Sequence, residues 1–163
     1  MLEFRAMSGE SQDDADDLFE LYRATPGYFQ AVKGRGPSAE DAIEALTSVP
    51  PGDGNFEKVF GGYWLTDHLI GCSDIVFGYP DSVTAYLGLL LFREGMQFKG
   101  YGSWAHRELS EAATSKGCQR MRLSVIETNT RAAQFWFNKG YREVGIRRSE
   151  SYTGDIIILE QRL

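Results

Sequence analysis

The chain has 163 residues, enough for one domain with a sizeable buried core and too few for two ordinary domains. Hydrophobic residues make up 42% and charged residues 25%, which is typical of a soluble globular protein and argues against disorder. The formal net charge of −6 argues against nucleic acid as the main partner, because nucleic-acid binders usually carry a basic face.

No segment indicates membrane insertion or export. No run approaches the ~18 apolar residues of a membrane span, and the first residues, MLEFRAMSGESQDD, contain no apolar stretch like that of a signal peptide. Cys72 and Cys118 are far apart in apolar surroundings, which favours reduced packing residues over a disulfide or a metal site. We therefore expect a cytoplasmic protein without a metal centre, folded as one domain over residues 1–163.

The first third of the chain predicts one strand and two helices. LEFRAM alternates weakly and predicts a first strand, and Ser11 precedes a helical pattern of about a dozen residues. TPGYF is expected to break this helix. Ser38, with an aspartate three residues later, has the pattern of an N-terminal cap and predicts a short helix through AEDAIEAL.

The middle of the chain changes to aromatic and β-branched residues. KVFGGYWLT and LIGCSDIVFGY predict a hairpin of two strands joined by a turn at Asp67 and His68. TAYLGLLLF follows as the fourth predicted strand. Its apolar residues on both faces are typical of a central strand that is covered on both sides.

The remaining segments predict a helix, a strand, a second helix and two closing strands. In chain order they are SWAHRELSEAATSKG, RMRLSVIE, NTRAAQFWFNKG, YREVGIRR and DIIILEQRL. Gly117 and Gly140 are placed to end the two helices in a left-handed cap. The whole pattern predicts an α/β or α+β fold with one mixed sheet and helices on its faces.

The stretch QFKGYGSWA, between the fourth strand and the next helix, carries Gly100 and Gly102. Glycines there serve either a turn with positive φ or backbone N–H groups bared to an anion at a helix N-terminus. The nucleoside-triphosphate loop is excluded, because it needs Gly-Lys followed by Ser or Thr. The dinucleotide fingerprint is weakened but not eliminated: Ala105 replaces its third glycine, while Glu127 lies at the distance of its acidic residue.

A third pattern, Q-x-x-G-x-G, is matched by Gln97, Gly100 and Gly102 and gains weight from a second motif downstream. The second motif consists of Asn129, Ala132, Phe135, Gly140 and Tyr141. Over roughly residues 69 to 149, the two motifs in this order, one helix and one strand apart, resemble those of the GCN5-related N-acetyltransferases (GNAT).

The resemblance implies a strongly twisted mixed sheet of six or seven strands, flanked by about four helices, with acetyl-CoA in the gap between splayed fourth and fifth strands. The pantetheine arm and the thioester would contact backbone groups of Leu90, Leu91 and Phe92. The far side of the cofactor would face Asn129 and Phe135. The pyrophosphate would be cradled by the loop residues Gln97, Phe98, Lys99, Gly100, Tyr101, Gly102 and Ser103.

Acetyl transfer to an amine needs a deprotonated nucleophile, a donor for the developing oxyanion and often an acid for the departing thiolate. Many family members carry a tyrosine acid directly after the aromatic that Phe135 matches; this chain has Trp136, whose indole N–H only donates a hydrogen bond. Either the thiolate leaves without an acid, or Tyr141 or Tyr152 acts. The candidate base is Asp74, a carboxylate in an apolar strand, with a hydrogen-bonded structural role as the alternative.

Three other titratable groups are not expected to act in catalysis. Glu94 follows the fourth strand and is expected on the cofactor loop. His68 is expected in the hairpin turn, and His106 at an exposed position of the following helix.

The acceptor wall is expected, by the resemblance, in YRATPGYFQAVKGRGPSAED, where Tyr28 and Phe29 either line a pocket or pack in the core. The acidic run SQDDADDLFE either compensates a helix dipole or forms a rim that attracts a cation. It favours a small cationic amine over a nucleic acid or an acidic protein.

These features lead to one hypothesis and two alternatives. The hypothesis is an acetyl-CoA-dependent N-acetyltransferase that acts on a small primary amine by direct transfer in a ternary complex. The first alternative is a non-catalytic acyl-CoA sensor, which Trp136 favours, and the second is a dinucleotide-binding enzyme. A homodimer is also expected, because the resemblance implies pairing through the C-terminal strands and the last strand, DIIILEQRL, is apolar enough to need a cover.

Overall fold

Seven strands form one sheet in the computed structural model, which describes residues 1–163. The strands are β1 (Leu2–Ala6), β2 (Glu57–Leu65), β3 (His68–Phe77), β4 (Thr84–Phe92), β5 (Arg120–Ile126), β6 (Arg142–Arg147) and β7 (Ile156–Arg162). Their order is β1-β2-β3-β4-β5-β7-β6, and β4 with β5 is the one parallel pair. This confirms the predicted mixed sheet.

Five α-helices accompany the sheet, one more than the sequence predicts. They are α1 (Gln12–Arg23), α2 (Pro26–Lys33), α3 (Ala39–Thr47), α4 (Tyr101–Ser115) and α5 (Thr130–Asn138). The additional helix is α2: the break after α1 spans only Ala24 and Thr25, and Pro26 then begins a new helix. Proline is favoured at this first helical position, because its fixed φ suits the helix and its missing N–H is not needed there.

The predicted caps are present. The Ser11 hydroxyl accepts a hydrogen bond from the Asp14 N–H at 3.2 Å. Ser38 and Asp41 form a reciprocal capping box, in which the Asp41 N–H donates to Ser38 Oγ and the Ser38 N–H donates to Asp41 Oδ2 at 2.8 Å. Gly117 and Gly140 follow α4 and α5 with φ of 87° and 95°, which glycine adopts without steric cost.

Asp41 also holds two basic side chains, and its own side chain is only 6% exposed. Lys33 Nζ lies 3.0 Å from Asp41 Oδ1, and the Arg35 guanidinium donates to both carboxylate oxygens at 2.8 and 2.9 Å. Hydrogen bonds from Arg35, from the Ser38 N–H and from Lys33 hold the pKa of Asp41 well below its usual range. The carboxylate therefore fixes the turn between α2 and α3.

Replacing Asp41 with asparagine is expected to lower the free energy of unfolding at pH 7 by about 2–4 kcal/mol, because two cations lose their partner. The contribution should be complete above the unfolded pKa of about 3.8 and be lost as the pH falls further, since the folded pKa is depressed. Urea unfolding at several pH values measures it. Glu20→Gln, at the exposed pair with Arg23, is the control and should change nothing measurable.

The hairpin of β2 and β3 is shifted by one residue from its prediction. Its turn lies at Thr66 and Asp67, and His68 is already the first residue of β3. Thr66 adopts a φ of 56°, a left-handed conformation that the sequence pattern does not indicate.

The strand β7 lies between β5 and β6 and pairs with both. Its two edges are therefore satisfied within the chain. An uncovered last strand, one of the two reasons for expecting a homodimer, is therefore not observed, and the homodimer itself stays a prediction.

The feature of the sheet that positions a site is a bulge in β4. Asp74 pairs with Leu89 and Ile75 with Leu87, so Gly88 is left without a partner on β3. In a regular strand, Leu87 and Leu89 would face the same side of the sheet. Because of the bulge, Leu87 packs under α4 and α5, whereas Leu89 packs on the opposite side with α1, α2 and α3.

Beyond the bulge, β4 and β5 separate. They pair only from Thr84 to Leu87 on β4 and from Arg120 to Leu123 on β5. The gap between the fourth and fifth strands that the sequence resemblance implies is thus present. No helix of the protein has the length and apolar character needed to cross a membrane.

Candidate functional site

The gap between β4 and β5 exposes backbone groups of β4. Leu90, Leu91 and Phe92 lie past the last residue of β4 that pairs with β5, while their other neighbour, β3, remains paired. Backbone N–H and C=O groups without a ladder partner need another hydrogen-bond partner. In the segment from Leu90 to Phe92, which is proposed to contact a pantetheine arm, the backbone groups that point away from β3 therefore have no strand partner on the β5 side.

The loop after β4 is tied to the strand and reaches across the gap. The Gln97 side chain donates to the Phe92 carbonyl at 2.9 Å, which anchors the loop to the end of β4. Phe98 has a φ of 63° and is 82% exposed, and the Arg131 guanidinium of α5 lies 5.1 Å from its ring centroid. The loop thus contacts both walls of the gap.

The N-terminus of α4 is bare of side-chain caps. The helix begins at Tyr101, two residues earlier than predicted, and its N-cap is Gly100, with a φ of 88°. The N–H groups of Tyr101, Gly102 and Ser103 have no acceptor within the helix, and no capping side chain replaces one. Such a helix start binds anions through its backbone donors.

The backbone conformation requires glycine at Gly100 but not at Gly102. A Cβ on Gly100 would meet no atom within 4 Å, so its conformation, not space, calls for glycine there. A Cβ on Gly102 would lie 3.6 Å from the Phe135 ring of α5, an ordinary contact, at a position with helical backbone. At Gly102, therefore, neither strain nor a clash accounts for the missing side chain.

The helix α5 forms the wall of the gap that faces the loop and the start of α4. Asn129 is its N-cap, and its side-chain oxygen accepts from the Ala132 N–H at 3.4 Å. Phe135 is half-buried and approaches Gly102 across the gap. At the C-terminal end of α5, Lys139 Nζ donates to Ser103 Oγ at 2.6 Å. The sequence motifs gave no signal for Lys139.

Two of the proposed catalytic residues, Trp136 and Tyr141, are buried between α4 and α5. Their ring centroids are 5.3 Å apart, and each lies 5.6 Å from the ring of His106. The Tyr141 hydroxyl and His106 Nε2 share a hydrogen bond of 2.8 Å, and burial raises the pKa of Tyr141. The structure therefore places both residues in a packed aromatic cluster.

His106 is 9% exposed, so the expectation of an exposed helix position was wrong. Burial, followed by the charge of Lys139, lowers the pKa of His106. The signal was in the sequence, because Ala105, Leu109 and Ala113 repeat at helical spacing and His106 lies on the same face.

Asp74, the proposed base, lies on β3 beside the bulge. Its Oδ2 accepts from Lys58 Nζ at 3.1 Å, and Lys58 also donates to the carbonyls of Ala45 at 2.8 Å and Ser48 at 2.6 Å. The Asp74 Oδ1 atom is buried without a partner. Burial raises the pKa of Asp74, an effect that Lys58 opposes in part.

A cavity of about 200 Å³ opens next to Asp74 and the Gly88 bulge. Aromatic side chains line it, namely Tyr22, Tyr28, Phe29 and Tyr152, together with the carboxylates Asp41, Glu44 and Asp74 and the ammonium of Lys33. Phe29 is buried in the core and also borders the cavity, so both interpretations of this residue hold. The acidic residues at the start of α1 do not line the cavity; its carboxylates come from α3 and β3.

Catalytic candidates thus divide between two places. Asp74 and Tyr152 lie at the cavity, whereas Trp136 and Tyr141 lie under α4. No group of three or more His, Cys, Asp or Glu side chains is placed to hold a metal ion.

Comparison with known proteins supports one family. The acetyltransferase (GNAT) family model matches residues 15–141, which extends further towards the N-terminus than the two sequence motifs. No curated protein sequence matches the chain significantly.

Many solved structures share the fold. An acetyltransferase from Thermus thermophilus is 25% identical, with a TM-score of 0.81 over 100% of this chain and 97% of that chain. The PaiA N-acetyltransferase from Thermoplasma acidophilum, in complex with coenzyme A, is 20% identical, with a TM-score of 0.70 over 100% and 99%. The ribosomal-protein-S18-alanine N-acetyltransferase from Escherichia coli is 14% identical, with a TM-score of 0.69 over 99% and 94%.

Proposed function

Since the chain belongs to the acetyltransferase (GNAT) family and is an acetyl-CoA-dependent N-acetyltransferase, we propose that its acceptor is a primary amine of a small, cationic molecule. Transfer is direct, in a ternary complex, and residues 1–163 act as a single acetyltransferase domain. The observation that carries the proposal is the cavity beside the β4 bulge, with the unpartnered Asp74 Oδ1 next to it.

The chain offers acetyl-CoA a binding site in the gap. Backbone groups of Leu90 to Phe92 would bind the pantetheine arm, the amides of residues 97–103 the pyrophosphate, and Asn129 with Phe135 the opposite side. When bound, acetyl-CoA supplies an acyl thioester. The bare N-terminus of α4 supports this assignment, because it provides donors for an anion on a chain with a net charge of −6.

Asp74 accepts the proton of the acceptor amine. Its Oδ1 is the unpaired atom of the carboxylate, and Lys58 holds the other oxygen in place. A carboxylate whose pKa is raised by burial is a stronger base than an exposed one. Asp74 lies beside Gly88, the first residue of β4 after the last one that pairs with β5.

The size and charge of the cavity favour a small cation. A volume of about 200 Å³ is below the usual range of sites for drug-sized ligands. Asp41 is already paired with Lys33 and Arg35, whereas Glu44 forms no ion pair. Glu44 and Asp74 Oδ1 are therefore the carboxylate oxygens left for an ammonium group.

Neither Trp136 nor Tyr141 serves as the acid for the departing thiolate. Trp136 cannot supply a proton, and the Tyr141 hydroxyl is engaged by His106 within the aromatic cluster. The pKa of a free thiol, about 8.5, allows the thiolate to depart unprotonated near neutral pH.

The proposal predicts micromolar binding of acetyl-CoA and coenzyme A by isothermal titration, without comparable binding of NADH. Acetyl transfer, followed as release of free thiol, should occur with short cationic primary amines and be at least about tenfold slower with amines of similar size that carry a carboxylate. Binding of acetyl-CoA without turnover over the whole panel would instead support an acyl-CoA sensor. Turnover only with peptides or proteins would overturn the small-molecule acceptor.

A further inference from the structure

Lys139 carries a charge that no acidic side chain of the protein balances. It ends α5, and its backbone is fixed, because its carbonyl accepts from the Gln161 side chain at 2.5 Å. The residue is half-buried, its ammonium group forms no ion pair within 4 Å, and the ammonium donates a hydrogen bond to the Ser103 hydroxyl at 2.6 Å. A lysine ammonium that is held in place by a hydrogen bond but has no counter-ion is available to an anionic ligand.

The direction of the side chain is set by α5 and α4 together. Lys139 Nζ lies 5.4 Å from the centroid of the Phe135 ring, which itself faces Gly102. Ser103 is the third residue of α4, in the turn whose N–H groups are free. The ammonium therefore lies directly beside the anion-binding end of α4.

Ser103 keeps a donor for a ligand in this arrangement. Because Lys139 donates to Ser103 Oγ, the hydroxyl hydrogen of Ser103 is not used in this contact. The Ser103 N–H, the Ser103 O–H and the Lys139 ammonium are three donors in one place. A phosphate oxygen accepts several such donors at once.

We propose that Lys139 is a binding residue for the pyrophosphate of acetyl-CoA and adds, from α5, a side-chain cation beside the backbone donors of the loop and α4. The inference depends on the proposed placement of the pyrophosphate at the start of α4. It adds a residue outside the glycine loop to the pyrophosphate site, where Lys139 and Ser103 would bind the same phosphate group. Lys139 then sets affinity for the diphosphate part of the cofactor and not for its pantetheine arm.

The test compares the wild type with Lys139→Met, which keeps the length and apolar stem of the side chain but removes the charge. Titration calorimetry uses coenzyme A and dephospho-coenzyme A, which keeps the pyrophosphate but lacks the 3′-phosphate. A third probe, S-acetylpantetheine, lacks both and serves as a competitor in activity assays. We expect an affinity loss of about 10- to 100-fold for the first two probes and none for the third. Lys139→Arg should bind all three within about threefold of the wild type, because it keeps the cation.

Each other outcome contradicts a particular step. Unchanged affinity of Lys139→Met for coenzyme A would show that the lysine only ties α5 to Ser103. A loss for coenzyme A without a loss for dephospho-coenzyme A would assign Lys139 to the 3′-phosphate, and an equal loss for S-acetylpantetheine would indicate a general distortion. A wild type that binds neither coenzyme would overturn the proposed function itself, and this inference with it. Ser103→Ala, which removes the tie but keeps the charge, should cost less affinity than Lys139→Met.

Discussion

Gly102→Asp is expected to weaken acetyl-CoA binding by about 100-fold or more without destabilising the protein. The backbone of Gly102 is helical, and a Cβ there makes only an ordinary contact with Phe135. An aspartate in the first turn of a helix interacts favourably with the helix dipole, so α4 should be as stable as before. The same carboxylate would lie among the N–H groups proposed to bind the pyrophosphate, where like charges about 4 Å apart repel by several kcal/mol in a partly desolvated site.

The matched control is Gly102→Asn, which has the same shape without the charge. Asparagine should retain affinity within about tenfold of the wild type, so the difference between the two variants isolates electrostatic repulsion. Thermal unfolding should show Gly102→Asp at or above the melting temperature of Gly102→Asn. Equal affinities of the two variants would mean that no phosphate approaches this turn, and the assignment of residues 97–103 to the pyrophosphate would have to be abandoned.

The elements that the sequence predicts well are those with local causes. Ser11 and Ser38 satisfy the N–H groups of their own helices, and Gly117 and Gly140 supply the left-handed conformation just past a helix end. Short apolar, aromatic and β-branched segments bounded by turn residues place all seven strands. Each signal acts over fewer than about ten residues, and no tertiary contact is needed to interpret it.

The parts that the sequence does not predict depend on contacts between distant segments. Lys58 meets Asp74 only because β2 and β3 pair in one register, and Lys139 meets Ser103 only because α4 and α5 cover the same face of the sheet. Glu44 of α3 meets Asp74 of β3 at the cavity only because the folded chain brings α3, which packs on α1, beside that strand. The site's charges therefore require the fold before they can be assigned.

Asp74→Asn is expected to lower kcat by a factor of about 10² to 10⁴, with the affinity for acetyl-CoA unchanged, because the proposed base is lost while the gap is untouched. Asparagine keeps the shape of the side chain and can still accept from Lys58 through its oxygen. Steady-state kinetics with an excess of amine, combined with titration of acetyl-CoA, separate the two effects. A loss of acetyl-CoA affinity equal to the loss in rate would indicate a structural role for Asp74.

The pH dependence distinguishes a base from a structural carboxylate. A base acts only when deprotonated, so kcat/KM of the wild type should fall as the pH drops through the raised pKa of Asp74, above the ordinary value of 3.8. Lys58→Met removes the cation that opposes this rise in the pKa, and the acid limb should therefore move to higher pH, while Asp74→Asn should lose the limb altogether. A limb that stays in place in Lys58→Met belongs to another group, because the titration of Asp74 cannot be independent of an ammonium 3.1 Å away. Since Lys58 also holds the Ala45 and Ser48 carbonyls, unfolding of Lys58→Met is measured first, and the profile is interpreted over the pH range in which the variant stays folded.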